Sequence, residues 1–131
     1  MEINLPSDCG NAPRTIVVGE FVAKWAQGES DAVAEWLADE ARWSIVGEGT
    51  HLGPRGSREA IPRITAERLD VLSIVTHGRF ASCDGYLEAG TTRIAFSHVF
   101  RFAGAFRKSC GTAHVSCPNV LSLSSRQTAR R

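Results

Sequence analysis

The side chains best suited to chemistry in this 131-residue chain are two histidines, His77 and His98, set among aromatic residues in alternating stretches. An imidazole with an unperturbed pKa of about 6.5 can take or give a proton near neutrality, so two of them facing one hollow could do acid/base work. The alternation argues that they share a face. With Trp43 and Ile45 inward on one strand, and Val71, Ser73, Val75 and His77 inward on another, the residues Phe96, His98, Phe100 and Phe102 fall on the apolar side, opposite Ser97, Val99 and Arg101. Phe21 and Trp25 from a helix would complete a mostly aromatic pocket with few polar groups, the usual makeup of a small-molecule site. The expected ligand-binding lining is Phe21, Trp25, Trp43, Ile45, His77, Phe96 and Phe100, with His98 as the catalytic candidate. His77, beside Gly78, reads better as a hydrogen-bonded residue at a strand end. For His98, in mid-strand among phenylalanines, a structural and a reactive role both stand, because an imidazole buried there without a partner would be costly.

Other polar residues offer less. Glu48, between Gly47 and Gly49, could reach over a pocket mouth, but a polar residue so placed is most often a hairpin tip. Gly47-x-Gly49 lacks the third glycine and the strand-to-helix junction of a nucleotide loop. Ser122-Leu123-Ser124-Ser125 has no basic or acidic neighbour to activate a serine and reads as tail. Cys9, Cys83, Cys110 and Cys117 are far apart and form no Cys-x-x-Cys pair, so reduced thiols are expected, with neither a metal site nor a cofactor.

The elements that must position these residues follow from periodicity. Val17, Val18, Phe21, Val22 and Trp25 recur at spacings of three and four between Thr15 and Gly28, the pattern of an amphipathic helix stopped by glycine. Ser30 can cap a short second helix with Val33, Trp36 and Leu37 on its apolar face, and Ser57 a third in which Ile61 and Ile64 face inward and Pro62 forces a kink or a later start. A strand through Trp43 and Ile45 lies between the second and third helices. Val71 to His77, Ala81 to Glu88 and Thr91 to Phe102 then read as an antiparallel meander. The order is α-α-β-α-β-β-β, an α+β chain.

Composition bounds the rest. With 43% hydrophobic and 22% charged residues the chain suits one globular domain, and it has no apolar run of the roughly 18 residues a membrane span needs. The start Met1-Glu2-Ile3-Asn4-Leu5-Pro6 lacks a secretory pattern, so the cytoplasm is the expected location and no membrane contact is expected. The formal charge of +1 hides an asymmetry, since all 14 acidic residues precede Arg107, while Arg107, Lys108, Arg126, Arg130 and Arg131 follow Phe106. A basic end can hold nucleic acid, but no interleaved aromatics stack bases there, and that partner ranks last.

The element order, with Trp25-Ala26-Gln27-Gly28-Glu29-Ser30-Asp31, Leu37-Ala38-Asp39-Glu40-Ala41-Arg42-Trp43, Gly53-x-x-Gly56-Ser57-Arg58-Glu59-Ala60-Ile61 and Phe100-Arg101-Phe102, resembles the nuclear transport factor 2-like superfamily, in particular its SnoaL-like branch. The resemblance spans residues 9 to about 106. It implies a cone-shaped, strongly bent mixed or antiparallel sheet wrapped around the long N-terminal helix, and a homodimer packed sheet to sheet. It leaves the chemistry open, since the family holds steroid isomerases, polyketide cyclases, epoxide hydrolases, dehydratases and proteins that only bind. The aspartate base, tyrosine and protonated acid of the ketosteroid isomerases correspond to Ile45, Phe21 and His98 here, so that reaction is not expected. The two aspartates bracketing an arginine in the epoxide hydrolases find only Asp84 and Arg93. A cyclase-like role would ask for one acid or base, which His98 could supply.

The final stretch departs from the family pattern. A single domain is expected over residues 9–108. From about Ser109 the composition changes abruptly, and residues 109–131 read as a divergent basic tail or a reading-frame scar that would leave an open strand edge. The functional expectation is a pocket protein for a small apolar molecule, with a weak acid/base enzyme of isomerase, cyclase or hydrolase type as its extension and a non-enzymatic dimerising module as the alternative.

Overall fold

Helix α1 (Pro13–Ala26) forms where apolar residues recur every three or four positions, and its stripe of Val18, Phe21, Val22 and Trp25 is at most 1% exposed. The computed structural model describes residues 1–6, 13–103 and 120–130. Proline is tolerated in the opening turn of α1, where its missing N–H would have no helical partner. The helix ends in a Schellman arrangement: Gly28 adopts φ 74°, its N–H donates to the Trp25 carbonyl and the Glu29 N–H to the Lys24 carbonyl, both at 3.0 Å.

Two serines expected to cap helices do other work. Helix α2 (Ser30–Trp36) includes Ser30 as its first residue, and Glu29 before it makes no side-chain cap. Helix α3 (Ser57–Ala60) follows a 3-10 turn at Pro54–Gly56, and the Ser57 hydroxyl reaches the Ser30 carbonyl at 3.0 Å and the Pro54 carbonyl at 2.8 Å. That hydroxyl ties α3 to α2. The third helix is also shorter than the inward-facing isoleucines implied. Pro62 pushes Ile61 into extended backbone (φ −68°, ψ 155°) and ends the helix at Ala60, although Ile61 and Ile64 still pack against the core.

Seven strands form one mixed sheet among the described residues. They are β1 (Glu2–Asn4), β2 (Leu37–Ile45), β3 (Gly49–Leu52), β4 (Arg68–His77), β5 (Phe80–Ala89), β6 (Thr92–Phe102) and β7 (Val120–Arg130), in the spatial order β1-β4-β5-β6-β7-β2-β3. β1 with β4 and β2 with β7 are parallel pairs, and the other neighbours are antiparallel. The α+β architecture is the expected one, with β1, β3 and β7 added to it.

β7 corrects the reading of the chain's end. It lies between β6 and β2, so the edge expected to stand open is paired on both sides, and Ser122 to Ser125 belong to a strand and not to a tail. Leu123 and Ser125 are buried in the core, while Ser124 and Arg126 are exposed. The sequence from Ser109 to Asn119, where the composition changes, and Cys9, Cys110 and Cys117 lie outside the described residues.

A break in the β4–β5 register between Val71 and Ser73 shapes the sheet and corrects a second reading. Val71 is buried, whereas Ser73, Val75 and His77, all expected inward, are exposed. The extra residue flips the parity, so beyond it the partly buried residues are Ile74 and Thr76. Gly85 lies opposite. A Cβ there would run into the Asp70 carbonyl oxygen and come within 3.0 Å of Val71 Cα, so only glycine permits so close an approach of the two strands.

Candidate functional site

β6 presents Phe96, His98, Phe100 and Phe102 to the inner face, and strict alternation leaves all four buried. His98 is 0% exposed. In register it lies between Cys83 of β5 and Ser125 of β7, and Ser125 in turn lies beside Ile45 of β2. This places Ile45, Ser125, His98 and Cys83 in one row across the floor of the sheet. The next row holds Trp43, Leu123 and Phe100.

Helix α1 lays its aromatic stripe over these rows. Trp25 stands edge-on to His98 with ring centroids 4.3 Å apart, and Phe96 lies 5.0 Å from Trp25 and 5.2 Å from His98. Phe21 contacts Phe100 at 5.2 Å and Trp43 at 5.8 Å. Of the eight residues singled out from the sequence, Phe21, Trp25, Trp43, Ile45, Phe96, His98 and Phe100 come together, and His77 does not. The bulge in β4 turns His77 to the exposed end of that strand. The rings meet at ordinary aromatic contact distances, so they pack against one another where a hollow was expected between them.

The polar core of this cluster is small. The Trp43 Nε1–H donates to Ser125 Oγ at 2.7 Å, and Ser125 Oγ lies 2.7 Å from His98 Nδ1. An indole N–H can only donate, so Ser125 Oγ must accept from it. Either the serine hydroxyl donates to Nδ1, which puts the ring proton on Nε2, or Nδ1–H donates to Ser125 Oγ, which leaves Nε2 an acceptor. His98 Nε2 is fully buried and has no hydrogen-bond partner among the described residues. Burial pushes the His98 pKa down to about 3, so the ring is neutral at neutral pH. Cys83 beside it is equally inert: burial and the Asp84 charge push its thiol up to about 12, against the ordinary thiol nearer 9.

The inner face carries no buried Asp or Glu among the described residues, so it lacks the carboxylate that proton transfer to or from carbon needs in a steroid isomerase. Asp84 and Arg93, the candidates for hydrolase chemistry, serve elsewhere. Asp84 accepts from the Ser73 hydroxyl, and Arg93 sits over the Tyr86 ring at 3.9 Å and pairs with Glu88 at 3.4 Å. No group of three or more His, Cys, Asp or Glu residues among the described residues could hold a metal.

A concavity of about 390 Å³ lies at the β3 edge, lined by Glu48, His51, Arg58, Glu59, Ile61, Pro62 and Arg63. Glu48 in the β2–β3 turn reaches across it to Arg63 at 2.9 Å. Sequence reasoning did not single out His51. The signal was faint, because β3 has only four residues and its alternation is too short to mark an inward face.

No protein family and no curated protein is matched by the sequence. Solved structures do match in shape. A nuclear transport factor 2-like protein of unknown function from Burkholderia xenovorans superposes with a TM-score of 0.64 at 13% identity, over 86% of this chain and 80% of that one. A de novo designed protein with a curved β-sheet gives 0.64 at 15% identity, over 90% and 88%. A protein with a ketosteroid isomerase-like fold from Catenulispora acidiphila, in complex with trimethylamine, gives 0.58 at 13% identity, over 88% and 85%. The chain therefore has the nuclear transport factor 2-like fold. At these identities the likeness concerns shape alone.

Proposed function

We propose that this protein binds a small, mostly apolar molecule at the inner face of its sheet, with His98 as the polar anchor. The single observation that carries the reading is the fully buried Nε2 of His98, which has no partner among the described residues, amid Trp25, Phe96 and Phe100. Leaving such a group unpaired costs about 1–3 kcal/mol, and a ligand that completes its hydrogen bond recovers that energy. With the serine hydroxyl donating to Nδ1, the Nε2–H calls for an acceptor, so the ligand class proposed is an apolar molecule bearing one carbonyl or ether oxygen. The fold supports a pocket role, since a neighbour of the same shape is complexed with a small amine. The SnoaL-like resemblance supports the same reading.

Because the rings are in contact, the ligand enters by displacing one of them. Trp25 is the movable candidate: its Nε1–H donates to the Ala60 carbonyl at 2.9 Å, on the four-residue helix α3. Binding is proposed and catalysis is not, because a neutral imidazole with a pKa near 3 and no buried carboxylate beside it is a weak base. The test is thermal unfolding with cyclohexanone and with methylcyclohexane. A ligand selective for the folded state raises Tm by mass action. The ketone should raise Tm more than the hydrocarbon, and His98→Leu should erase that difference. Equal behaviour of the two compounds in the unsubstituted protein would refute the reading.

A second reading, a non-enzymatic homodimer, is favoured by exposed apolar residues on the outer side. Leu72, Val75 and Val99 are each more than half exposed. Val75 and Val99 both pair with Ser82, so they lie in one row on the face opposite His98.

A further inference from the structure

The cleft at the β3 edge sorts its charges in a way the inner cluster does not use. His51 pairs in register with Trp43, so both side chains lie on the same face of the sheet, Trp43 deep in the core and His51 at the cleft. Glu59 Oε2 lies 2.8 Å from His51 Nδ1, and Glu48 Oε1 lies 2.9 Å from Arg63 Nη2. A carboxylate only accepts, so Nδ1 carries a proton, and in the neutral form of the ring Nε2 keeps a lone pair with no partner among the described residues. Each carboxylate in the cleft is thus committed to a partner. Arg58, which also lines the cleft, makes no ion pair among the described residues, so its guanidinium is open to a ligand. Gly56 lets the backbone of the 3-10 turn close onto His51, since a Cβ there would lie 2.6 Å from the His51 Cβ. Ile61 and Pro62 add an apolar wall.

We propose that this cleft is a second binding site, distinct from the His98 cluster, for a small carboxylic acid that also carries a hydroxyl and an apolar group. The carboxylate pairs with Arg58, the hydroxyl donates to His51 Nε2, and the apolar group lies against Ile61 and Pro62. A guanidinium takes a carboxylate through two parallel hydrogen bonds, which gives direction as well as charge. Glu59 fixes the tautomer that leaves Nε2 as an acceptor, so the site selects a hydroxyl donor at that point.

Calorimetric titration with mandelate, with phenylacetate (which lacks the hydroxyl) and with the neutral mandelamide tests the proposal. Mandelate should bind most tightly, and mandelamide at least tenfold more weakly. Arg58→Gln, at an exposed position, should weaken mandelate about tenfold or more, the usual loss for a charge-assisted hydrogen bond. His51→Phe should abolish the preference for mandelate over phenylacetate, and if that variant does not fold, the Arg58→Gln series decides the matter. Equal binding of mandelate and mandelamide, or mandelate binding unchanged by Arg58→Gln, overturns the proposal. Mandelate binding that is lost with His98→Leu yet survives Arg58→Gln also overturns it, while leaving the inner-face reading in place.

Discussion

A histidine whose charged form the fold cannot accommodate makes stability depend on pH in a definite direction. The His98 pKa falls from 6.5 to about 3 on burial, so the unfolded chain binds the proton more readily than the folded one. The contribution is intact above the unfolded pKa and is lost as pH falls from there toward 3. At one pKa unit per 1.36 kcal/mol, this single residue should cost about 2 kcal/mol at pH 5 relative to neutrality. His98→Asn keeps an acceptor for Ser125 and removes the titration. The difference in unfolding free energy between the two proteins, measured across this range, should therefore narrow on acidification. A constant difference would show that the imidazole is hydrated in solution. The residue's position was legible from parity alone, because a strand of eleven residues holds its alternation. Its partner was not. Ser125 acts through a hydrogen bond across 27 residues of sequence, and a serine flanked by serines and arginine gives no local sign of burial.

Among the elements, the β4–β5 pair carries the curvature on which the inner face depends. The bulge between Val71 and Ser73 adds a residue to one strand, and Gly85 opposite removes a side chain from the other. Gly85→Ala should destabilise the protein by about 2 kcal/mol or more, since its methyl group meets the Asp70–Val71 backbone of β4 and the two strands must part. Denaturant unfolding of that variant gives the value, and a loss below a few tenths of a kcal/mol would mean that the two strands are less closely apposed. This feature explains why His77 was misplaced while His98 was not. Alternation predicts side-chain direction only while the register is unbroken, and one inserted residue reverses everything beyond it. The bulge has no marker of its own in Val71-Leu72-Ser73. The helices show the complementary case: the 3.6-residue period and Gly28 located α1, while Pro62 was seen to disturb the third helix without showing that α3 would stop after four residues.

At the scale of the whole molecule, the sheet has one face filled by α1 and the aromatic rows and another that presents exposed apolar residues among the described residues. The filled face explains why fold was easier to read than function, since the same rings serve a packed core and a ligand wall equally well. On the other face the Val75–Ser82–Val99 row is apolar at both ends. The row on one side of it includes Asp84, and the row on the other carries Arg101 over the Phe80 ring at 4.8 Å. A two-fold axis running across the strands, between the two faces and over Ser82, would lay Val75 and Val99 of one copy on the same residues of the other and bring Asp84 toward the partner's arginine row, which is the self-complementarity an isologous dimer needs. A stable contact of this kind buries about 800 Å² per partner, and the centre of such a patch contributes most of the affinity. Val99→Glu would set two carboxylates against apolar surface there. The unsubstituted protein should sediment as a dimer and melt at a temperature that rises with protein concentration, and Val99→Glu should sediment as a folded monomer whose Tm is independent of concentration. A monomer in both cases would overturn the dimer reading and leave the ligand readings standing.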